Sequence, residues 1–222
     1  MKCVVELPLQ LDSFQAQREA MVREQIAERG IRDVRVLEAM RRVVRHEFVP
    51  ESFRQHSYED RPLPIGEGQT ISQPYIVATM LEHLAIRSGD RVLEIGTGSG
   101  YVTALLAQLA AEVFSVERHE SLAALAESTL LRLEFRNVKI RVGDGREGWE
   151  EYAPYDAILV SAATAAMPPE LFAQLREGGR MILPVGPASS QELQLIRKAS
   201  GSRDIRILEG CRFVPLVGET AG

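Results

Sequence analysis

The sequence predicts an α/β fold: a doubly wound, mostly parallel sheet preceded by extra N-terminal helices. Three features predict it. From Arg91 onward, short apolar runs of strand length alternate with stretches of helical periodicity, the pattern of a parallel sheet covered on both faces. A glycine-rich turn, Gly96-Thr97-Gly98-Ser99-Gly100, joins the first such strand to the first such helix. Ahead of the alternation, apolar residues recur at three- and four-residue intervals rather than every second residue.

In chain order, Phe14, Met21, Val22 and Ile26 form one apolar stripe that stops at Gly30. Asp33 stands where it can cap a second helix carrying Val36, Leu37, Met40, Val43 and Val44. Core packing accounts for both stripes. Residues 60–74 open with two prolines and two glycines, which disfavour a helix and predict an ordered loop or short hairpin. A helix over about 74–85 follows, with Pro74 in the first turn, where its missing N–H is not needed. Then come strand Arg91–Ile95, helix Tyr101–Leu109, strand 112–116, helix 120–133, strand Val138–Val142 and strand 157–160. A short helix at 169–175 leads through a Gly178-Gly179 turn into strand 180–184. Further strands are expected at 192–197, 205–208 and 213–217, and residues 219–222 are expected to fray. The chain, 1–222, reads as a single domain with a helical part at about 12–60 and a sheet part at about 74–218.

Composition narrows the function. The 222 residues are 45% hydrophobic, enough for a full core, and the net charge of -5 is not that of a domain gripping long nucleic acid. Cys3 and Cys211 make neither a metal-ligand spacing nor a disulfide framework, so a reduced, cytoplasmic setting and no metal are expected. Glu6 breaks the early apolar run too soon for a secretory signal. The longest uncharged run, residues 95–111, begins with the glycine turn, so no membrane helix is expected.

The turn after the first strand of such a sheet is where ligands dock. Glycines there let backbone approach a ligand and adopt positive φ. The spacing is G-x-G-x-G, with Glu94 two residues ahead, rather than the G-x-G-x-x-G of dinucleotide sites. A pyrophosphate wants backbone N–H groups at a helix N-terminus. S-adenosylmethionine has no phosphate and carries a sulfonium and an ammonium, so an acid beside the turn is tolerable. Glu94 could equally be a solvated or paired acid at a strand end. Glu117, about twenty residues beyond the turn at the next strand end, stands where a ribose-binding acid is expected, and its oxygens can accept from both hydroxyls. Asp144, in Gly143-Asp144-Gly145, follows the third strand. In a methyltransferase it would accept the adenine amine, although Asp-Gly is also a common plain turn. Three acids after three successive strands point to S-adenosylmethionine more strongly than any one does.

The stretch Pro62-Leu63-Pro64-Ile65-Gly66-Glu67-Gly68-Gln69-Thr70-Ile71-Ser72-Gln73-Pro74 resembles the signature loop of protein-L-isoaspartate (D-aspartate) O-methyltransferases. Further matches, in family order, are Val92 to Tyr101, Gly143-Asp144-Gly145, Pro154-Tyr155-Asp156-Ala157-Ile158, Gly178 to Gly186, and Arg212 to Val217. The resemblance implies the S-adenosylmethionine-dependent methyltransferase fold, with S-adenosylhomocysteine as product. It implies that Ser72 is the active-site serine, and that Ile71, Ser72, the turn from Glu94 through Gly96, Thr97, Gly98 and Ser99 to Gly100, Glu117, Asp144 and Gly145 surround the cofactor. It implies methylation of the free carboxylate of L-isoaspartyl and D-aspartyl residues in damaged proteins and peptides, with no nucleic acid or membrane partner; the oligomeric state stays open. Where some members carry a histidine and a threonine, this chain has Val77 and Val217. The small-residue loop Ala162-Ala163-Thr164-Ala165-Ala166 is similar to the family's and could let a peptide approach.

An isoaspartyl carboxylate of pKa about 3.5 is ionised at pH 7, so no strong general base is required. His46, His56, His83 and His119 fall outside every motif and read as ordinary surface or core residues. Ser72 could donate to the acceptor carboxylate, cap the helix near Pro74, or do both. Competing readings are a methyltransferase for a small molecule or RNA, a non-catalytic binding module, and a dinucleotide-dependent oxidoreductase.

Overall fold

The N-terminal stripe becomes helix α1 (Gln15–Ala20), which runs directly into wider, π-type turns over Met21–Ala27. Met21, Val22 and Ile26 are buried there, and Gly30 at φ 110° ends the segment. Helix α2 (Val34–Arg42) is capped by Asp33, whose side chain accepts the N–H groups of Arg35 and Val36. Val43 and Val44 do not extend this helix, because Val43 has already turned to extended backbone. The proline- and glycine-rich stretch folds as an antiparallel hairpin of β1 (Leu63–Gly66) and β2 (Gln69–Ile71). Helix α3 (Pro74–Leu84) follows, closed by Ala85 in the left-handed region.

The computed structural model, which describes residues 14–187 and 189–216, continues with β3 (Arg91–Ile95), α4 (Tyr101–Leu109), β4 (Glu112–Glu117), α5 (Glu120–Arg132), β5 (Val138–Val142) and β6 (Tyr155–Val160). Helix α6 (Pro169–Gln174), β7 (Leu175–Val185), β8 (Gln191–Ala199) and β9 (Ser202–Cys211) complete it. Seven strands form one sheet in the order β5-β4-β3-β6-β7-β8-β9. Strands β3 to β7 are mutually parallel, and β8 and β9 add an antiparallel meander. The chain winds outward from β3 to β5, then returns to place β6 on the other side of β3. Ligand crevices open at such a reversal, beyond the carboxyl ends of the strands.

Alternate strand residues face opposite layers. Val92, Val113, Ala157, Leu159 and Ile182 pack into one core with Leu81 of α3, Leu105 of α4 and Leu122 of α5. Met21, Val22, Ile26, Val36 and Met40 belong to that same cluster, so the N-terminal helices close over this face. Leu93, Ile95, Phe114, Val116, Ile158 and Met181 face the other layer, with Leu171 of α6 and Trp149. Side chains of this size, fully buried, contribute roughly 1.5–3 kcal/mol each.

Two sequence expectations are corrected. Gly178 and Gly179 do not start β7; they sit inside it, where five residues of β7 pass two of β6, and Gly178 takes φ 74° to make that bulge. Residues 213–216 form no strand. They run as a strap bridged through Pro215 to Ala163 in the loop after β6, with Phe213 held by the Gln191 side chain at the start of β8. Val217, the tail 219–222, Cys3 and Glu6 lie outside the described residues. Among the described residues, no helix is long and apolar enough to cross a membrane.

Candidate active site

The carboxyl ends of four neighbouring parallel strands wall a cleft at the point where the strand order reverses. Gly96, Thr97, Gly98 and Ser99 line it after β3, Glu117 ends β4, Gly145 follows β5, and Ser161 and Ala162 follow β6. Ile71 at the end of β2, Ser72 just past it, and the strap residues Val214, Pro215 and Leu216 add to the wall.

Glu117 fixes the geometry of the turn. It is 5% exposed; its Oε2 accepts the Gly98 N–H at 2.8 Å and its Oε1 the His119 N–H at 2.9 Å. Gly98 adopts φ 53°, and a Cβ there would come within 3.2 Å of Ile65 Cδ1. Each carboxylate oxygen keeps a further lone pair for a ligand hydroxyl. Gly145 makes room differently: a Cβ on it would lie 2.4 Å from Ile95 Cγ2, so only glycine lets this backbone cross the end of β3.

Glu94, Gly100 and Asp144, expected around the cofactor, do not border the cleft. Glu94 points inward beneath the turn and is fully buried. Thr103 Oγ1 and Ser115 Oγ both donate to its Oε2 at 2.6 Å, while its Oε1 has no partner. Burial pushes its carboxyl up to about 8, the two hydroxyls opposing the shift. It therefore supports the turn as a neutral acid at pH 7. Gly100 precedes α4 at φ 88° and packs over Ala126, so it shapes the turn from behind. Asp144 caps the short turn Gly145–Glu147 and receives the Arg146 guanidinium, with Nη2 to Oδ2 at 2.6 Å. An acid two residues before such an arginine is drawn into a local pair.

Ser72 is half-buried and does not cap α3; Gln73 holds that position and makes no side-chain cap. Among the described residues its hydroxyl makes no hydrogen bond, while its carbonyl accepts from Arg45 Nη2 at 2.9 Å. It borders both this cleft and a second one, with about 1,740 Å³ of open space, lined by Thr70, Ile76, Gln191, Cys211 and Phe213 among others. The loop after β6 anchors the strap between them: Ala163 N–H donates to Val214 O at 2.8 Å, and Leu216 N–H to Ala163 O at 2.7 Å. Val77 is buried in α3 and reaches neither cleft.

Sequence reasoning missed His119, Tyr101 and the strap. His119 lines the cleft two residues past Glu117, and its Nδ1 lies 3.9 Å from Glu67 Oε2 at the hairpin tip. Position relative to the strand end was the available signal. His46, by contrast, is a core residue stacked on Phe14. Among the described residues no group of three or more His, Cys, Asp or Glu side chains could hold a metal ion.

An adenosine group fits this donor set: a buried carboxylate at the β4 end for a ribose, apolar Val116 and Leu216 for a base, and backbone rather than cations at the glycine turn. Sheet, switch point and cleft define a Rossmann-like methyltransferase dependent on S-adenosylmethionine. Residues 16–221 match the family model described as protein-L-isoaspartate(D-aspartate) O-methyltransferase (PCMT). A protein-L-isoaspartate O-methyltransferase of Methanoculleus marisnigri is 54% identical over 211 residues, covering 95% of this chain and 96% of the relative. A solved structure of a protein-L-isoaspartate O-methyltransferase superposes with TM-score 0.83 at 32% identity, over 90% of this chain and 66% of that one. A putative enzyme of the same name from Plasmodium falciparum, in complex with S-adenosyl-L-homocysteine, gives TM-score 0.79 at 28% identity, over 90% and 98%. The chain belongs to the protein-L-isoaspartate(D-aspartate) O-methyltransferase family.

Proposed function

We propose that this protein transfers a methyl group from S-adenosylmethionine to the free carboxylate of L-isoaspartyl residues, and of D-aspartyl residues, in damaged proteins and peptides. The observation that carries the reading is the place of Ser72, whose unengaged hydroxyl stands on the wall shared by the two clefts. The first cleft suits the cofactor and the second an extended peptide. When bound, S-adenosylmethionine supplies an electrophilic methyl on a sulfonium. Glu117 would hold the ribose, and Ile71 and the glycine turn would shape the rest of the pocket. Asp144 stands one residue behind the wall and would reach the adenine amine only by sharing its carboxylate with Arg146.

Ser72 would donate its hydroxyl to one oxygen of the acceptor carboxylate and aim the other at the methyl group. An ionised acceptor needs no base, so the chain's own work is alignment and exclusion of water. Such alignment can supply on the order of 7 kcal/mol or more. Attack of the neighbouring backbone nitrogen on the methyl ester would expel methanol and close a succinimide, which water would reopen partly to normal aspartate, so that the reaction is the first step of repair. We place it in the cytoplasm, a reading that rests on the poor spacing of the two cysteines for a disulfide framework.

Methyl incorporation into one peptide carried in L-isoaspartyl, D-aspartyl and L-aspartyl versions tests the reading. Labelling of the isoaspartyl form well above the normal form is expected. Equal labelling of those two would defeat the substrate assignment, and no labelling of the D-aspartyl form would remove that part alone.

A further inference from the structure

The 3₁₀ turn Arg45–Phe48, after α2, carries an arginine that the proposed reaction does not use. Arg45 is 0% exposed. Among the described residues no carboxylate pairs with it, and burial lowers its pKa, with Asp60 offsetting that only in small part. Its Nε donates to the Ser57 carbonyl at 2.7 Å and its Nη2 to the Ser72 carbonyl at 2.9 Å. Its guanidinium carbon lies 4.8 Å from the centre of the Tyr101 ring. Among the described residues neither Nη1 nor the Tyr101 hydroxyl makes a well-formed hydrogen bond, and Tyr101 is the main group that opposes the effect of burial on Arg45.

Burying a cation without a counter-ion is expensive, and an apolar side chain of similar volume would commonly leave a core more stable. Stability is therefore a poor reason for Arg45 to stand here. What it does is grip backbone. Asp60 holds the next residues of the same segment from the other side, taking Gln73 Nε2 on Oδ2 at 2.8 Å and the Tyr75 N–H on Oδ1 at 3.2 Å. Between these two grips the Ser72 main chain is fixed while its hydroxyl is left open to both clefts. A planar fork holds its two carbonyls in one fixed geometry, whereas a lysine ammonium, which can also bind several carbonyls, sits on a flexible stem and imposes none.

We propose that Arg45 is a positioning residue for methyl transfer: by binding the Ser72 carbonyl from inside the core it sets where the Ser72 hydroxyl meets the acceptor carboxylate. The assignment rests on the reading of Ser72 given above. A displacement of about 1 Å at such a group can cost on the order of a hundredfold in rate, so loss of the fork should appear in turnover and leave cofactor affinity alone.

The test is a double-mutant cycle on the full chain with an isoaspartyl peptide, using Arg45→Lys, Ser72→Ala and the pair. Arg45→Lys should lower kcat about tenfold, with the Kd for S-adenosylhomocysteine within about twofold, and in the Ser72→Ala background the same change should cost less than about twofold. Equal losses in both backgrounds, or a parallel loss of S-adenosylhomocysteine affinity, would overturn the role of Arg45 alone. Unchanged turnover in Ser72→Ala by itself would sink the reading of Ser72, and Arg45 with it. Should Arg45→Lys fail to fold, the native chain gives a second readout. The Arg45 guanidinium proton resonances should shift when the isoaspartyl peptide is added to the S-adenosylhomocysteine complex and not when its normal aspartyl isomer is. Silence to the isoaspartyl peptide would also overturn the proposal.

Discussion

The first cleft takes most of its wall from the ends of adjacent parallel strands, whereas the second is assembled from segments far apart in the chain, from Pro62 and Thr70 to Cys211 and Phe213. The difference teaches what each can tolerate. Strand ends are held by the sheet ladder on both sides, so the first cleft is rigid by construction, and single side chains such as Glu117 only lock a turn already in place. The second cleft depends on contacts between loops: the hairpin, the segment gripped by Arg45 and Asp60, and a strap tied through Ala163. Rigidity there is local and each tie matters separately.

The sharpest way to separate the two regions is Glu117→Ala. It strips a buried acceptor from the Gly98 and His119 N–H groups, so the Kd for S-adenosylhomocysteine, read by calorimetry, should rise about a hundredfold. Unchanged affinity would mean that the first cleft is not the cofactor site. Ser72→Ala is the counterpart on the other side, with turnover expected to fall about thirtyfold while S-adenosylhomocysteine affinity holds. If both parameters moved together, the division into two clefts would collapse. Gly145→Ala forces a methyl group against Ile95 and should cost about 1–3 kcal/mol of stability, visible as a Tm lower by several degrees. An unshifted Tm would show that the floor of the first cleft yields more easily than strand ends should.

The smallest effect concerns Glu94. Its carboxyl is raised from 4.5 to about 8, so the folded chain keeps a proton that the unfolded chain releases. The stability from this group is therefore fully present below about pH 4.5 and is lost as pH rises through about 8. Glu94→Gln, neutral throughout, should flatten the decline of the urea midpoint between about pH 4.5 and 8. Identical slopes in mutant and parent would indicate that Glu94 is ionised in place.

How much of this was legible in the sequence follows the same division. Strands β3 and β5 and helix α4 fall where periodicity puts them, because apolar runs bounded by glycine and charge leave little freedom. Motif and position singled out Ser72 and Glu117, and both border the first cleft. Glu94 was misplaced because an acid beside a glycine turn looks the same on paper whether it faces the ligand or the core; Thr103 and Ser115, which draw it inward, come from a helix and the next strand. For Asp144 the sequence did not show the local pair with Arg146, which would compete with a ligand. The strap at 213–216 resembled a strand because alternating apolar residues also suit a segment held by one bridge to a loop and by a side chain of β8. Arg45 carried no signal at all, since an arginine in a basic run reads as surface until the fold buries it.

Cys211 closes β9 and borders the second cleft, close in space to where damaged chains would be held. Burial, with Glu209 and Glu192 nearby, pushes its thiol up to about 11. At pH 7 the thiolate, the form that oxidants and electrophiles attack, is therefore scarcer than for an ordinary exposed cysteine. The edge of the second cleft is thus chemically quiet, and a member of a family that handles the products of molecular ageing carries there a thiol slow to age itself.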